Sequence, residues 1–355
     1  MPVSRRGFLL VALLTLFVAC GGYLFFWPVG IDPESWTPPA LRPWKSNDVL
    51  IGATVLQTAL PGPEAVAIDA EGRLVTGLID GRIVRFAADG SGTPEVLART
   101  GGRPLGLKFD KRRNLIVADA YKGLISIAGD KITILATEAG GKPLRLTNDL
   151  AIAQDGTIYF SDASIRWPLD KFILDLLEHR PSGRLLAYHS DTNKTEVVLD
   201  GLYFANGVAL GPDDAYVLVA ETGSYRVRRY WLRGERAFKS DVFIDNLPGF
   251  PDNVTWSPTR RAFWLAMVTP RDSGLDKLAP YPTLRKVLAR LPPALRPKAK
   301  RHAWIVALDE KAAVAADLQY ASDSSYSPIA SVIEHDGSLY LGSFSHTGVA
   351  RVKAP

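Results

Sequence analysis

From residue 49 onward, short apolar runs alternate with turn signals, a spacing that is typical of β-strands. Asp-Gly, Pro-Asp and single Gly positions separate the runs. Six segments share one layout, in which a first apolar run is followed ten or eleven residues later by a second, more strongly apolar run. The first runs begin at Glu64, Leu105, Asn148, Asn206, Asp252 and Ile329. The pattern therefore predicts an all-β protein built from an internal repeat.

Six repeats, each with three or four strands, predict a six-bladed β-propeller over residues 49–355. The last repeat is short after Arg351, so we expect the strand at residues 49–56 to complete that blade and close the ring. Two insertions interrupt the repeats, at residues 164–182 and 267–302. Each is either a lid over one mouth of the ring or a decoration of its surface.

The N-terminal residues 7–29 are uncharged and rich in Leu, Phe and Val, which predicts one membrane-spanning helix. Arg5 and Arg6 precede this segment, so the positive-inside rule places residues 1–6 in the cytoplasm and the propeller in the periplasm or outside the cell. We favour an uncleaved anchor. The alternatives are a twin-arginine export signal at residues 4–9 and a lipoprotein cleavage site that ends at Cys20. Residues 30–48 are rich in proline and predict an extended tether.

Composition and charge narrow the classes of partner. The chain has 355 residues, 47% of them apolar, which is enough for a large core. Residues 285–301 hold seven Lys or Arg and no acid; they either contact anionic lipid or an acidic partner, or form a solvated surface. Aromatic residues are not interleaved with basic ones, so nucleic acid is not expected. Cys20 is the only cysteine, which excludes an internal disulfide and a cysteine-based zinc site. The oligomeric state is not indicated.

The aligned repeats predict a metal site on the propeller axis. The innermost strand of each blade points its first residue at this axis, so the six starting positions face one another. Four of them carry side-chain oxygens: Glu64, Asn148, Asn206 and Asp252. Two buried carboxylates and two amides would be costly without a partner, and one Ca²⁺ would balance them with oxygen ligands only. The competing interpretation is that these residues merely begin strands, since Asn and Asp favour turns.

The sequence resembles the strictosidine synthase-like and adipocyte plasma membrane-associated protein family, within the gluconolactonase (regucalcin) and paraoxonase superfamily of calcium propellers. The resemblance rests on residues 102–107, 117–124, 146–150, 204–210, 219–223, 229–232, 247–253 and 334–343. The resemblance implies that the four residues of the axial column bind one calcium ion per chain. It also implies a single N-terminal anchor followed by a tether of this kind.

Departures from the family pattern bear on the expected activity. Strictosidine synthases carry a catalytic Glu at the position of Ala330, and paraoxonases a His pair at the positions of Leu105 and Ala120. A condensing enzyme is therefore the least favoured function. We expect a calcium-dependent hydrolase of small-molecule esters or lactones, with Asp252 as the catalytic residue. The alternative is a non-catalytic binding propeller whose metal is structural.

The substrate pocket is expected beside the metal, with an apolar wall. Its candidate residues are Leu105, Ile329, Asn253 and His346. A hydrophobic or aromatic substrate would suit this wall. No nucleophile-elbow, Walker or Rossmann motif occurs in the chain.

Overall fold

The alternating apolar runs form six four-stranded antiparallel sheets in a computed structural model, which describes residues 5–355. Residues 1–4 of the predicted cytoplasmic segment lie outside the described residues. Contacts join the first strand of each sheet to the first strand of the next in a closed ring order. The predicted six-bladed β-propeller is thereby confirmed.

The first three blades are consecutive in the chain. They comprise β2 (Val66–Ile68), β3 (Leu74–Gly77), β4 (Arg82–Phe86) and β5 (Glu95–Arg99); β6 (Pro104–Phe109), β7 (Leu115–Asp119), β8 (Gly123–Ala128) and β9 (Lys131–Ala136); and β12 (Thr147–Ile152), β13 (Ile158–Asp162), β14 (Gly183–His189) and β15 (Lys194–Leu202). A two-stranded hairpin of β10 (Glu138–Ala139) and β11 (Lys142–Pro143) lies between the second and third blades in the chain.

Blades four and five continue the order, and blade six takes its outer strand from the other end of the chain. Their strands are β16 (Ala205–Leu210), β17 (Tyr216–Glu221), β18 (Arg226–Trp231) and β19 (Ser240–Ile244); β20 (Gly249–Ser257), β21 (Ala262–Pro270), β22 (Ala303–Asp309) and β23 (Val314–Tyr320); and β24 (Ser331–His335), β25 (Ser338–Gly342), β26 (Thr347–Lys353) and β1 (Thr54–Pro61). β1 pairs antiparallel with β26, with Val55 opposite Ala350. The predicted closure of the ring by an early strand is confirmed.

The core consists of apolar layers between neighbouring sheets. One cluster joins blades five and six through Trp264, Ile305, Val332 and Leu341, each at most 1% exposed. Another joins blades one and two through Val75, Leu107 and Val117. Because successive side chains in a strand point to opposite faces, each blade contributes to two such layers.

The chain divides into two compact units, and the propeller with residues 39–53 makes up the larger one, residues 39–172, 181–271 and 299–355. The smaller unit combines the N-terminal segment to residue 38 with residues 173–180 and 272–298, which belong to the two predicted insertions. Four helices contribute to it: α1 (Arg5–Phe26), α2 (Phe172–Glu178), α3 (Ser273–Leu278) and α4 (Pro282–Arg290). Short 3-10 helices lie at Val49–Gly52, Leu169–Lys171, Pro212–Asp214, Thr222–Ser224 and Pro293–Leu295.

Polar contacts hold the smaller unit together. Arg285 is only 4% exposed and donates hydrogen bonds to the carbonyl oxygens of Leu177, at 3.1 Å, and Glu34. Arg180 binds the carboxylates of Asp32, at 2.6 Å, and Glu34. Guanidinium groups with several acceptors are strongly position-specific, so these contacts join residues 173–180 and 272–298 of the two insertions to the chain that precedes residue 39.

α1 is the one helix among the described residues that is long and apolar enough to cross a membrane. It has 22 residues, and none of them is buried in the protein. By length and composition this helix could therefore span a membrane.

Candidate metal centre

The four predicted ligands lie at the beginning of inner strands. Asn148, Asn206 and Asp252 belong to β12, β16 and β20, and Glu64 comes two residues before β2. All four residues are 3–5% exposed. Glu64 is close enough for its charge to act on the Asp252 carboxylate, and Asn206 donates a side-chain hydrogen bond to Asp252. Inner strands in the contact order β2, β6, β12, β16, β20 and β24 bring these residues to the axis.

A local break in strand pairing occurs at the position of these ligands. The register shifts between Thr147 and Leu150 in β12, between Ala205 and Val208 in β16, and between Pro251 and Val254 in β20. Such irregularities redirect side chains and release backbone groups from the ladder. The repeated shift therefore gives a physical reason why the side chains of Asn148, Asn206 and Asp252 need not follow the regular alternation between the two faces of a strand.

Two glycines let the inner strands approach closely beside the ligands. A Cβ atom on Gly207 would lie 2.4 Å from the Cα of Asn253, and one on Gly106 would lie 2.7 Å from the Cα of Asp149. Both distances are shorter than any side chain tolerates. Glycine at these positions therefore keeps the axial ring narrow.

Three buried oxygen atoms at the axis have no hydrogen-bond partner: Oδ1 of Asn148, Oδ1 of Asn206 and Oδ1 of Asp252. The amide of Asn206 is oriented from its other side, because Nδ2 donates to Oγ1 of Thr222 at 3.1 Å and that hydroxyl donates to the carbonyl of Pro251 at 2.6 Å. A buried acceptor without a donor costs about 1–3 kcal/mol. A cation ligated by these oxygens would remove the cost.

The donor set fits calcium. It consists of oxygen atoms only and carries two negative charges, and Ca²⁺ takes six to eight oxygen ligands at about 2.3–2.6 Å. No group of three or more His, Cys, Asp or Glu side chains placed to hold a metal occurs within residues 5–355. The set of two carboxylates and two amides contains no His or Cys, the ligands that zinc and copper sites use.

Electrostatics at the axis also favour a cation. Burial raises the pKa of Glu64 to about 7, against the opposing charge of Arg103 and with the support of Asp149. Burial and then the charge of Glu64 raise the pKa of Asp252 well above its ordinary value, while the hydrogen bond from Asn206 lowers it. A cation bound next to Glu64 and Asp252 would offset the repulsion between their carboxylates.

The sequence analysis missed Arg103 as a member of this site. Its guanidinium lies 3.5 Å from the Glu64 carboxylate, and the side chain is 4% exposed. Neither Nη1 nor Nη2 makes a hydrogen bond. Its backbone amide is held by Oδ1 of Asp119 at 3.0 Å. A buried arginine with free donors beside the axis can bind an oxygen of a ligand.

The predicted pocket residues differ in their surroundings. Asn253 is 3% exposed and both polar atoms of its side chain lack a hydrogen-bond partner, so it can form hydrogen bonds to a ligand. Leu105 is 1% exposed, and Ile329 lies in the apolar cluster around Trp264. His346 is half-buried: its ring packs against Tyr326 at 4.5 Å between centroids, and Nδ1 contacts the carbonyl of Thr347.

Phe172 lies at the mouth where the axial column begins. Its ring contacts Phe204, two residues before Asn206, at 6.3 Å between centroids, and Phe344 at 6.4 Å. Phe344 in turn borders Gly62, two residues before Glu64. This aromatic side chain comes from the first predicted insertion, so that part of the insertion packs against residues close in sequence to Asn206 and Glu64.

Two sequence profiles match the chain. The strictosidine synthase profile matches residues 148–235, and the profile of the N-terminal part of strictosidine synthase-like proteins matches residues 43–86. The first match includes Asn148 and Asn206, and the second includes Glu64.

Solved structures with the same fold are more distant in sequence. A gluconolactonase from Xanthomonas campestris superposes with a TM-score of 0.62 at 18% identity, over 92% of this chain and 97% of its own. A calcium-binding protein, regucalcin, from Agrobacterium tumefaciens superposes with a TM-score of 0.56 at 14% identity, over 86% of this chain and 95% of its own. These likenesses show the fold.

Relatives by sequence cover almost the whole chain. Protein strictosidine synthase-like 7 of Arabidopsis thaliana is 33% identical over 99% of this chain and 97% of its own length. The adipocyte plasma membrane-associated protein of Homo sapiens is 34% identical over 99% of this chain and 90% of its own length. The chain therefore belongs to the strictosidine synthase-like family, which includes the adipocyte plasma membrane-associated proteins.

Proposed function

We propose that this protein is a calcium-dependent hydrolase of esters or lactones, with its active site at the propeller axis. The observation that carries the proposal is the convergence of buried, unpartnered oxygens from Asn148, Asn206 and Asp252 next to the Glu64 carboxylate. A bound calcium ion would supply Lewis-acid polarisation of a substrate carbonyl. Kinship in fold with a gluconolactonase and a regucalcin supports the same chemistry.

The side chains around the axis divide into binding and reacting groups in this proposal. Glu64, Asn148 and Asn206 hold the ion, and Asp252 both holds it and acts on the substrate, as a base toward water or as a nucleophile. The Nη groups of Arg103, which make no hydrogen bond, would bind the substrate oxygen that gains charge. Arg103 adds a positive charge close to Glu64, which favours substrates that carry or develop negative charge.

Leu105 and the Phe172 side chain at the mouth favour an apolar acyl or aryl group on the substrate. Phe172 lies between Phe204 and Phe344 and limits access of water to the axis. Exclusion of water strengthens the electrostatic interactions on which such a site depends. Asn253, whose amide is unpartnered, would fix the orientation of a polar substrate group.

A non-catalytic binding propeller with a structural metal is the second candidate. This alternative is supported by the other acids near the axis, because they are already paired with protein groups and so are not available as a second acid or base. Asp119 accepts hydrogen bonds from the backbone amides of Arg103, Tyr121 and Lys122, and Glu221 is paired with Arg226. A strictosidine-type condensation is not proposed, because Ala330 stands where those enzymes carry a catalytic Glu and its backbone is bonded to Asn253 and Gly342.

We also infer that α1 anchors the protein in a membrane, with residues 1–6 in the cytoplasm and the propeller on the opposite side. The apolar, unburied helix and the two arginines at its N-terminal end support this orientation. Relatives with names that refer to the plasma membrane agree with membrane association.

The test is hydrolysis of a panel of aryl esters and lactones by the full-length protein in detergent. The protein should turn over at least one class, lose activity in a calcium chelator and regain it when calcium is restored. Asp252→Asn supplies the background rate. Turnover that persists in chelator would refute the calcium-dependent mechanism, and no turnover on any substrate at saturating calcium would favour the binding propeller.

A further inference from the structure

The end of α1 is hydrogen-bonded to the end of α4. Arg290, the last residue of α4, donates from Nη1 to the carbonyl of Leu24 at 2.8 Å and from Nε to the carbonyl of Trp27 at 2.6 Å. The hydroxyl of Tyr23 donates to the carbonyl of Arg290 at 3.1 Å. The last carbonyls of a helix lack intrahelical donors, and a cation there complements the helix dipole. The two helix ends therefore form one joint.

This joint determines how far the end of α4 lies from the surface of a bilayer. α1 is 22 residues long, enough to span the hydrocarbon core, and its apolar surface has no cover within residues 5–355. Once α1 spans the membrane, its C-terminal end lies at the boundary between lipid and water. Arg290 is bonded there, so the chain that follows it begins at the membrane surface. Trp27, 62% exposed beside the joint, is the residue type enriched at that boundary.

The chain after Arg290 combines an exposed apolar side chain with basic ones. We call residues 291–298 the interfacial segment. Leu295 is 68% exposed, Lys298 is exposed, and no acid occurs in the segment. Arg296 donates to the carbonyls of Ala289 and Leu291 at 2.8 and 2.9 Å, which ties the segment to α4. The sequence continues with two more basic residues at 300 and 301.

We propose that the interfacial segment binds the surface of the membrane in which α1 is anchored, through the headgroups of anionic phospholipids. Leu295 enters the region between headgroups and acyl chains, while Lys298 and Arg296 contact the phosphate and acidic groups. An acidic protein would match the charge but not the position of Leu295 beside the end of a membrane helix. This inference depends on α1 being retained and is independent of the proposed hydrolase activity.

The test uses the full-length protein with Cys20→Ser and Leu295→Cys, labelled at residue 295 with an environment-sensitive fluorophore. The protein is reconstituted in vesicles of phosphatidylcholine alone or of phosphatidylcholine mixed with phosphatidylglycerol. We expect a blue-shifted emission, protected from an aqueous quencher, that is stronger in the anionic vesicles and weakens as salt is added. Lys298→Ala should lower the equilibrium constant for binding of the segment to the membrane about fivefold.

Two controls protect this test from artefacts. In the first control the fluorophore is attached at residue 294 through Ala294→Cys. Leu295 is then intact, so the signal reports membrane contact of the natural side chain rather than of a fluorophore that replaces it. Lys131→Ala, in β9 of the propeller, removes one positive charge elsewhere and should leave the emission unchanged. Equal emission in the two kinds of vesicle, or an unchanged signal in Lys298→Ala, would overturn the proposal.

Discussion

Arg103 and Glu64 form a buried ion pair at the propeller axis, with 3.5 Å between Nη2 and Oε2. The pair places a fixed positive charge next to the proposed calcium ligands. Arg103→Met removes this charge, so calcium should bind more tightly above pH 8, on the order of tenfold, while turnover of the best ester or lactone falls. Calorimetric titration of calcium, followed by kinetics at saturating metal, measures both effects.

A matched control for that variant is Arg184→Met. Arg184 is also buried and is paired with Asp162 at 2.6 Å, but the pair lies outside the axial column. Its loss should lower the free energy of unfolding without changing the calcium affinity of the folded protein. If both variants weaken calcium binding equally, Arg103 acts only through the stability of the fold.

Asp252→Asn and Glu64→Gln each delete one charge from the same set of ligands, yet we expect different results. An amide at residue 252 can still offer an oxygen to calcium but cannot act as a base or nucleophile, so the rate at saturating calcium should fall by about 10²–10⁴-fold. Glu64→Gln should mainly raise the calcium dissociation constant. Kinetics over a calcium titration separate the two effects. Near-normal rates for both variants at saturating calcium would reduce Asp252 to a ligand.

The stability of the calcium-free protein should decrease as pH rises. Burial raises the pKa of Glu64 from its ordinary value of 4.5 to about 7. An acid whose pKa is higher in the folded chain than in the unfolded chain binds more protons when folded between those values, so ionisation opposes folding. Thermal unfolding in chelator should therefore show a Tm that falls from about pH 5 to about pH 7.5.

Calcium should reverse this trend, because the ion binds the ionised carboxylates. The rise in Tm on adding calcium is expected to grow with pH over the same window, and calcium at 100 times its dissociation constant adds about 2.7 kcal/mol. Glu64→Gln should make the calcium-free profile less steep. A calcium-induced rise in Tm that does not depend on pH would contradict the assignment.

Phe172→Ala tests the aromatic cover of the mouth. Loss of the ring removes contacts with Phe204 and Phe344 and lets water reach the axis. We expect kcat/KM for apolar substrates to fall about tenfold, with calcium affinity unchanged. Ile173→Ala is the matched control, because the neighbouring side chain is 42% exposed. Equal losses in the two variants would show a general effect of the insertion.

Retention of the anchor predicts that protein extracted from membranes still contains α1. The bonds from Arg290 to Leu24 and Trp27 give α1 a binding site in the folded chain. Intact mass spectrometry of the extracted protein should show a chain that includes these residues. A mature N-terminus at Cys20 with a lipid mass would establish a lipoprotein, and a start after residue 27 would establish a cleaved signal.

The sequence predicted the fold because the repeat is visible in the turn spacing, and turns are local. It also predicted that β1 would complete the last blade, since that blade lacked a strand. The ligand column followed from the same register. Arg103 was missed because it lies two residues before Leu105, the starting position of its repeat, and so falls outside the aligned column of ligands. Only its place in the family motif at residues 102–107 pointed to it.

The insertions were the least predictable part. Their helices carry ordinary amphipathic spacing, and nothing in it indicates that residues 173–180 and 272–298 belong to one unit with the N-terminal segment. That association depends on contacts between distant residues, such as Arg285 with Leu177 and Glu34. Phe172 at the mouth was equally hidden, because its partners Phe204 and Phe344 are far from it in the chain.

The pairing of β1 with β26 has a consequence for synthesis of the chain. The ribosome makes residues 54–61 long before their partner, residues 347–353. At roughly 5–20 residues per second, β1 waits on the order of tens of seconds with an unpaired edge. During that interval the nascent chain exposes a strand that other chains can pair with. Closure of the ring therefore depends on how long β1 stays available for β26 rather than for a strand of another chain.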